Sequence, residues 1–269
     1  MLKITACVIS LNEEDNINRC LKSLSFVDEI ILVDSGSTDQ TISIAEEFPN
    51  VRIFYRKFDT YINQKNYCID KSSNEWVLSL DADEEVSEEL QLEILSIQLK
   101  DLKGFFIPRL TFYMNQWIKY GGWYPNYQLR FFHKDSGKFS GHLVHETVEV
   151  QGRIEYLKNP LKHYSYKNIS DHLQFIDKYS ELHAFEKYRK GKKSGVTLAI
   201  IEAIWKFISM YFIRLGFLDG KVGLIIAILG SYYNFLKYIK VYELNSQPNK
   251  KKTLIEVEKA APIEILKES

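Results

Sequence analysis

The densest chemistry in the chain is Trp76-Val-Leu-Ser-Leu-Asp81-Ala-Asp83-Glu84-Glu85, where an apolar run opens directly onto four carboxylates. Crowded acids at the end of a buried strand are costly unless a cation neutralises them. Asp81 and Asp83 alternate along the strand exit, which turns both to one side and Ala82 to the other. Oxygen donors of this kind suit Mg2+ or Mn2+, with phosphate oxygens completing the shell. A plainer reading suits Glu84, Glu85, Glu88 and Glu89, as negative charge complementing the dipole at the start of a helix over residues 87–99. It explains Asp81 and Asp83 poorly.

Two further apolar runs also end in polar groups. Ser10-Leu11-Asn12-Glu13 closes one, and Asp34-Ser35-Gly36-Ser37-Thr38-Asp39 closes another. Neither carries a GxGxxG or a P-loop pattern. Acids and hydroxyls at these exits suit base N–H and ribose hydroxyl groups rather than phosphate. Ser37, Thr38 and Asp39 also read as caps and first-turn residues, whereas Asp34 precedes the turn. Downstream, Gly141-His142-Leu143-Val144-His145-Glu146 sets a glutamate at the start of a strand, a position open to general-base work. Its HxxH spacing lacks the HExxH pattern and any nearby cysteine, which argues against zinc. Trp117, Trp123, Tyr124 and Tyr127, around Gly121 and Gly122, read either as a sugar-stacking platform or as core.

The elements that must position these residues follow from hydrophobic period. Residues 3–10, 29–34, 51–55 and 76–80 read as buried parallel strands, each separated from the next by a helical pattern. Asn12 is expected to cap a helix with the stripe Ile17, Cys20, Leu21 and Leu24, and Ser37 with Gln40 to form a capping box for the next. The pattern is βαβαβαβ, followed after Gly104 by short aromatic strands closing over the strand ends. From Ser170 onward the pattern is helical. Residues 196–213 and 222–236 are apolar, but one is interrupted by Glu202 and Lys206 and the other is about five residues short of the ~20 that a span needs. Interfacial or core-packed helices are the expectation.

Composition narrows the function classes. The chain has 269 residues, 35 basic and 35 acidic, yet residues 1–150 carry a net −8, residues 151–252 a net +10 and residues 253–269 a net −2. An acidic front half argues against a nucleic-acid partner. A basic, aromatic rear segment suits a membrane surface. Cys7, Cys20 and Cys68 form no CxxC pair and no disulfide framework. The first residues do not read as a signal peptide, which predicts a cytoplasmic location.

VISLNEE, EIILVDSGSTDQT, WVLSLDADEEV and FSGHLVHETV, in this order and spacing, resemble the inverting family 2 glycosyltransferases of the GT-A fold. The narrower resemblance, carried by a Gly-Phe-Leu-Asp-Gly segment near residue 216, is to bacterial lipopolysaccharide-core β-glucosyltransferases. The resemblance implies an α/β fold with a Rossmann-like, mostly parallel sheet, helices on both faces and a C-terminal helical appendage. It implies a catalytic domain over residues 1–166, a membrane-associating helical region over 167–245 and a flexible tail over 246–269. By position, Ser10, Leu11 and Asp34 resemble the base-binding wall, with Glu13 near the ribose and Lys65 near the nucleotide. Asp81 and Asp83 match the DxD pair, Asp81 toward ribose and metal, with Ala82 between them, and Asp83 on the metal. His163 resembles a later histidine that some members use as a metal ligand. Glu146 stands at the catalytic base, with His145, Trp123 and Tyr124 on the acceptor side.

The implied activity is metal-dependent, inverting transfer of a hexose, glucose, from a nucleotide-diphosphate sugar such as UDP-glucose. The implied acceptor is a lipid-linked glycan such as lipopolysaccharide core, met by an enzyme held peripherally at the inner face of the cytoplasmic membrane. Two rivals stand beside it. A haloacid-dehalogenase-like phosphatase would use Asp81 as a nucleophile, and a non-catalytic nucleotide-sugar binding protein would hold the donor without transferring it.

Overall fold

Four apolar segments, too continuous to leave one face in water, form the centre of the first part of the chain. They are β1 (Ile4–Ser10), β2 (Glu29–Asp34), β3 (Val51–Tyr55) and β4 (Trp76–Asp81), lying side by side in the order β3-β2-β1-β4 and all parallel. Ala6, Val8, Ile30, Ile31, Leu32, Val77, Leu78 and Leu80 on them are fully buried, as expected of strands covered on both faces. The crossovers are α1 (Ile17–Ser23), α2 (Thr41–Glu46) and α3 (Tyr61–Asp70). The computed structural model describes residues 2–142 and 145–246, with the backbone alone at 142, 145 and 146.

Strand register brings the chemistry to one level. Ser10 lies opposite Asp34 and Ile9 opposite Asp81, so β1, β2 and β4 end together. Strand order reverses between β1 and β4, and an open α/β sheet binds ligands in the crevice outside the carboxyl ends at such a reversal.

Two caps differ from expectation. Asn12 does not begin a helix: its φ is 55°, its Oδ1 accepts from the Thr38 N–H, and its own N–H donates to Ser37 Oγ. The loop bond outcompetes the cap, and α1 begins only at Ile17. Ser37 likewise turns to Asp34 and to the Asn12 N–H, while Asp39 Oδ1 accepts from the Thr41 N–H that opens α2. An aspartate two residues before the helix offers its oxygen over a shorter span than the serine.

Beyond β4 come β5 (Glu84–Val86), α4 (Glu88–Ser96), β6 (Leu102–Tyr113), β7 (Gln116–Ile118), β8 (Asn126–His133), β9 (Gly137–His142), β10 (His145–Val150), β11 (Arg153–Tyr156) and β12 (Leu161–His163). The sheet continues as β4-β8-β6-β12-β5, with β8 antiparallel to β4 and to β6, and β11 alongside β6. Glu84 and Glu85 therefore do not start a helix. They form β5, paired with Lys162 and His163, and the helix starts after Ser87, whose Oγ accepts from the Leu90 N–H.

The described chain divides into two compact units, residues 2–109 with 126–164, and residues 110–125 with 165–246. The second holds the end of β6 paired with β7, then α5 (Ile169–Arg189), α6 (Val196–Ile208), a π turn over Ser209–Ile213, a 3-10 turn over Gly216–Asp219 and α7 (Gly220–Ser246). Tyr113, Ile118, Met210, Ile226 and Ala227 form its core. Of the two alternatives for the apolar helices one drops out, and the length expected of the second changes. The α6 helix is not core-packed: Ala199 is its one buried residue, and Ile201, Ile204 and Trp205 are more than half exposed. The second apolar helix is not cut short where Lys237 enters. Gly216–Ser246 runs 31 residues, so it and Val196–Ile213 are both long and apolar enough to cross a membrane by length and composition.

Candidate active site

The β2 exit is built around Asp34. It is fully buried, and its carboxylate accepts from Ser10 Oγ (3.1 Å), Ser37 Oγ (2.5 Å) and the Gly36 and Ser37 N–H groups (2.8 Å each). These bonds tie the exits of β1 and β2 together and give Asp34 a loop-organising duty that sequence alone did not suggest. Gly36, at φ 108°, makes the turn. Gln64 of α3 reaches the same loop through Ser35 Oγ (2.9 Å). Leu11 is half-buried beside Asn12, and the Glu13 Oε2 accepts from Asn16 Nδ2.

The β4 exit carries an ion-pair network. Asp81 Oδ1 is 2.9 Å from Lys65 Nζ, and Asp81 Oδ2 is 2.6 Å from Arg130 Nη2. The same guanidinium nitrogen is 3.0 Å from Glu84 Oε1, which Arg109 also approaches at 3.6 Å. Glu84 Oε2 in turn accepts from the Asp81 N–H. Lys65, Glu84 and Arg130 are all buried. Burial alone would raise the Asp81 carboxyl, but the charges and hydrogen bonds of Arg130 and Lys65 outweigh it and hold the group well below the usual carboxylate range. Ala82 turns into the core, as alternation predicts.

This network revises the first inference drawn from the four acids. They are crowded, but the chain supplies its own cations: Lys65 and Arg130 to Asp81, Arg130 and Arg109 to Glu84, Lys162 and Arg19 to Glu85. Asp83 differs, facing His163 Nε2 at 3.1 Å. Beside it, Tyr164 donates its N–H to the Asp83 carbonyl and its hydroxyl to Glu85. Burial and then the Glu85 carboxylate push that hydroxyl up to about 12. Arg19 lies 3.5 Å over the Tyr164 ring.

Among the described residues no three His, Cys, Asp or Glu side chains gather as a complete metal cage. Asp83 Oδ2 and His163 Nε2 nonetheless lie side by side at 3.1 Å, one oxygen and one nitrogen donor. That pair fits a Mg2+ or Mn2+ ion which draws the rest of its shell from phosphate oxygens and water.

Glu146 lies on β10 opposite Gly141 of β9, and His145 opposite His142; their side chains lie outside the described part of the structure. Lys65 is positioned by its neighbours, since Asn66 exchanges hydrogen bonds with the Phe139 backbone and the Lys65 ammonium sits 5.3 Å over the Phe139 ring. Trp123 and Tyr124 belong to the second unit. There the Trp123 ring packs against Tyr113 (5.8 Å), His172 (6.0 Å) and Tyr166 (6.2 Å), and Trp117 against Phe112 (4.9 Å). Tyr127, in the first unit, meets Tyr156 edge-on.

Arg130 and Arg109 were missed in the sequence, and Glu84 was read as charge at a helix start. The available signal was a lone arginine in each of two aromatic strands, Gln-Leu-Arg-Phe-Phe and Ile-Pro-Arg-Leu, where a buried charge needs a partner.

Comparison with known proteins adds the ancestry. The profile described as Glycosyl transferase family 2 matches residues 5–146. An uncharacterised glycosyltransferase of Rickettsia felis is 31% identical, over 90% of this chain and 90% of its own length. LpsC, a lipopolysaccharide core biosynthesis glycosyltransferase of Rhizobium meliloti, is 28% identical, over 92% of this chain and 96% of its own. Among solved structures, residues 1–349 of Staphylococcus aureus TarS in complex with UDP-GlcNAc align over 92% of each chain, at 17% identity and a TM-score of 0.48.

Proposed function

Because the chain belongs to glycosyl transferase family 2, we propose that it is an inverting enzyme which moves glucose from a nucleotide-diphosphate sugar, UDP-glucose, to a lipid-linked glycan of the lipopolysaccharide-core kind. The observation that carries this reading is the common level of the β1, β2 and β4 exits, with Asp81 and Asp83 at the end of β4 beside buried Lys65 and Arg130. The likeness to LpsC over almost the full length of both chains supports the acceptor class.

In this mechanism Ser10, Leu11, Glu13 and Asp34 frame the nucleoside. The carboxylate of Glu146 takes the proton of an acceptor hydroxyl as that oxygen bonds to the anomeric carbon. The bond from that carbon to the diphosphate breaks in the same displacement, and the nucleoside diphosphate leaves with the electron pair. A single displacement inverts the centre, so an α-linked donor gives a β-linkage. Lys65 and Arg130, both facing Asp81, would share the leaving negative charge. Asp83 and His163 would hold Mg2+ or Mn2+, which when bound supplies Lewis-acid stabilisation of that charge. Phosphatase chemistry would need Asp81 as an unencumbered nucleophile, and both its oxygens are ion-paired.

Docking at the inner membrane surface is supported by α6. Its exposed Ile201, Ile204, Trp205 and Ile208 form one stripe, preceded by exposed Arg189, Lys190, Lys192 and Lys193.

A thermal-shift panel of nucleotide sugars with and without Mn2+, followed by product analysis with the stabilising donor, tests the assignment. A shift with one donor class and a β-linked product are expected, and a panel with no shift removes the reading. Glu146→Gln should bind the donor and fail to turn over.

A further inference from the structure

The ion pairs on Asp81 make its readiness for a metal conditional. Both its oxygens face buried cations, Lys65 Nζ at 2.9 Å and Arg130 Nη2 at 2.6 Å. Arg130 is braced by Glu84 at 3.0 Å, and Glu84 is locked in turn by the Asp81 N–H. Among the described ion pairs, Asp81 and Glu84 share Lys65, Arg109 and Arg130. A divalent cation arriving alone therefore finds Asp81 already engaged and meets Asp83 and His163, which face each other at 3.1 Å. To use Asp81 as well it would have to break a buried ion pair to Lys65 or Arg130, which is costly. A diphosphate reverses this balance. It brings the negative charge that Arg130 and Lys65 can take in exchange for Asp81, and it brings oxygen ligands.

We propose that Arg130 is a positioning residue that closes the cation site of the empty protein. It holds Asp81 until a nucleoside diphosphate arrives, so that cation and diphosphate enter as a unit. This deepens the sugar-transfer reading and rests on it for the identity of the diphosphate.

The test is a Mn2+ titration of the full chain, read by the paramagnetic resonance signal of free Mn2+ and so independent of turnover. Its arms are wild type with Mn2+ alone, wild type with Mn2+ and UDP (each other nucleoside diphosphate in turn), and Arg130→Gln and Arg130→Lys with Mn2+ alone. Uptake by nucleotide in buffer is subtracted. UDP should tighten Mn2+ binding to wild type by about tenfold or more, and Arg130→Gln should gain at least as much without nucleotide. Arg130→Lys, which keeps the charge, should stay close to wild type.

An Arg130→Gln protein that melts as a folded chain and binds Mn2+ no tighter than wild type overturns the proposal. If that variant does not fold, the wild-type arms decide: equal Mn2+ affinity with and without a bound diphosphate overturns it, and a tightening supports it. The two readings separate cleanly. Should no nucleoside diphosphate bind while Arg130→Gln gains Mn2+, the donor assignment falls and the hold on Asp81 stands; a diphosphate that binds without moving Mn2+ affinity gives the reverse.

Discussion

His163 Nε2 stands 3.1 Å from Asp83 Oδ2, although the strand register pairs His163 with Glu84. The histidine thus reaches past its ladder partner to the turn residue that follows β4. Its Nδ1 is buried without a hydrogen-bond partner, so the ring is aimed by the strand and by Asp83. Replacing it by alanine should weaken Mn2+ binding to the diphosphate-loaded protein by about tenfold, a loss of ~1.4 kcal/mol, with little change in melting temperature. Unchanged Mn2+ affinity in His163→Ala would remove it from the ligand set.

Glu84 is the anchor of the network, and its contribution is to stability before chemistry. Alanine there leaves buried Arg130 with one fewer acid, removes the carboxylate that Arg109 approaches, and deletes the acceptor of the Asp81 N–H. Breaking a buried pair from one side costs about 3–5 kcal/mol. Glutamine keeps an acceptor and should cost less than half as much. Urea denaturation of the three proteins gives the order wild type, Glu84→Gln, Glu84→Ala. Equal midpoints would show that Arg130 finds other support.

The parallel strands were legible because four apolar runs of strand length, separated by helical period, admit little else. Asp81 and Asp83 stood out because crowded acids at a strand exit demand a counter-charge. What sequence could not supply was the partner. Lys65 lies 16 positions before Asp81, on α3 packed against β1, and Arg130 49 after it, on β8, which only the β4–β8 pairing brings alongside. Glu84 was misread for a related reason: negative charge before a helix looks the same whether it caps that helix or, as here, joins a short strand against β12. Asn12 and Ser37 failed as caps because each found a stronger bond across the loop, at a separation of 25 or 26 residues. Local rules break where long-range contacts compete, and those places are the strand exits.

The second unit carries a pH response. His172 is buried, its Nδ1 is 3.0 Å from the Tyr113 hydroxyl and its ring stacks on Tyr166 at 4.3 Å. Burial lowers its pKa from the ordinary 6.5 to about 4. The unfolded chain then takes up the proton before the folded one. The stability is intact above about pH 6.5, falls as pH drops from there toward 4, and loses nothing more below, for a total of about 3 kcal/mol. The difference between wild type and His172→Gln in urea midpoint should shrink across that window. A constant difference would show that the ring is not held neutral.

Two glycines of α7 make opposite predictions. A Cβ on Gly223 would collide with the carbonyl oxygen of Gly216, backbone that cannot step aside. Gly223→Ala should therefore destabilise by about 1–3 kcal/mol despite alanine's better helix propensity. A Cβ on Gly230 meets the thioether of Met210, a flexible end, so Gly230→Ala should be close to neutral. Thermal melts rank the two, and a neutral Gly223→Ala would mean that the turn over Gly216–Asp219 can shift.

The exposed face of α6 predicts how the chain meets a bilayer. Ile201, Ile204, Trp205, Ile208 and Phe212 recur at helical spacing and are exposed, where a core helix would hide them. Lys190, Lys192 and Lys193 are exposed just ahead of the helix, and a lysine near an anionic surface contributes about 1 kcal/mol. Co-sedimentation should find the protein on phosphatidylglycerol vesicles far more than on phosphatidylcholine ones, with binding falling as salt rises. Ile204→Ser with Trp205→Ser should weaken both kinds of binding, since it removes apolar area. Lys190, Lys192 and Lys193→Gln should weaken the anionic component alone. Because all five side chains are exposed or half-buried at the surface, the variants should melt near wild type. A wild-type protein that stays in the supernatant with anionic vesicles at low salt would remove membrane docking from the proposed function while leaving the sugar-transfer site untouched.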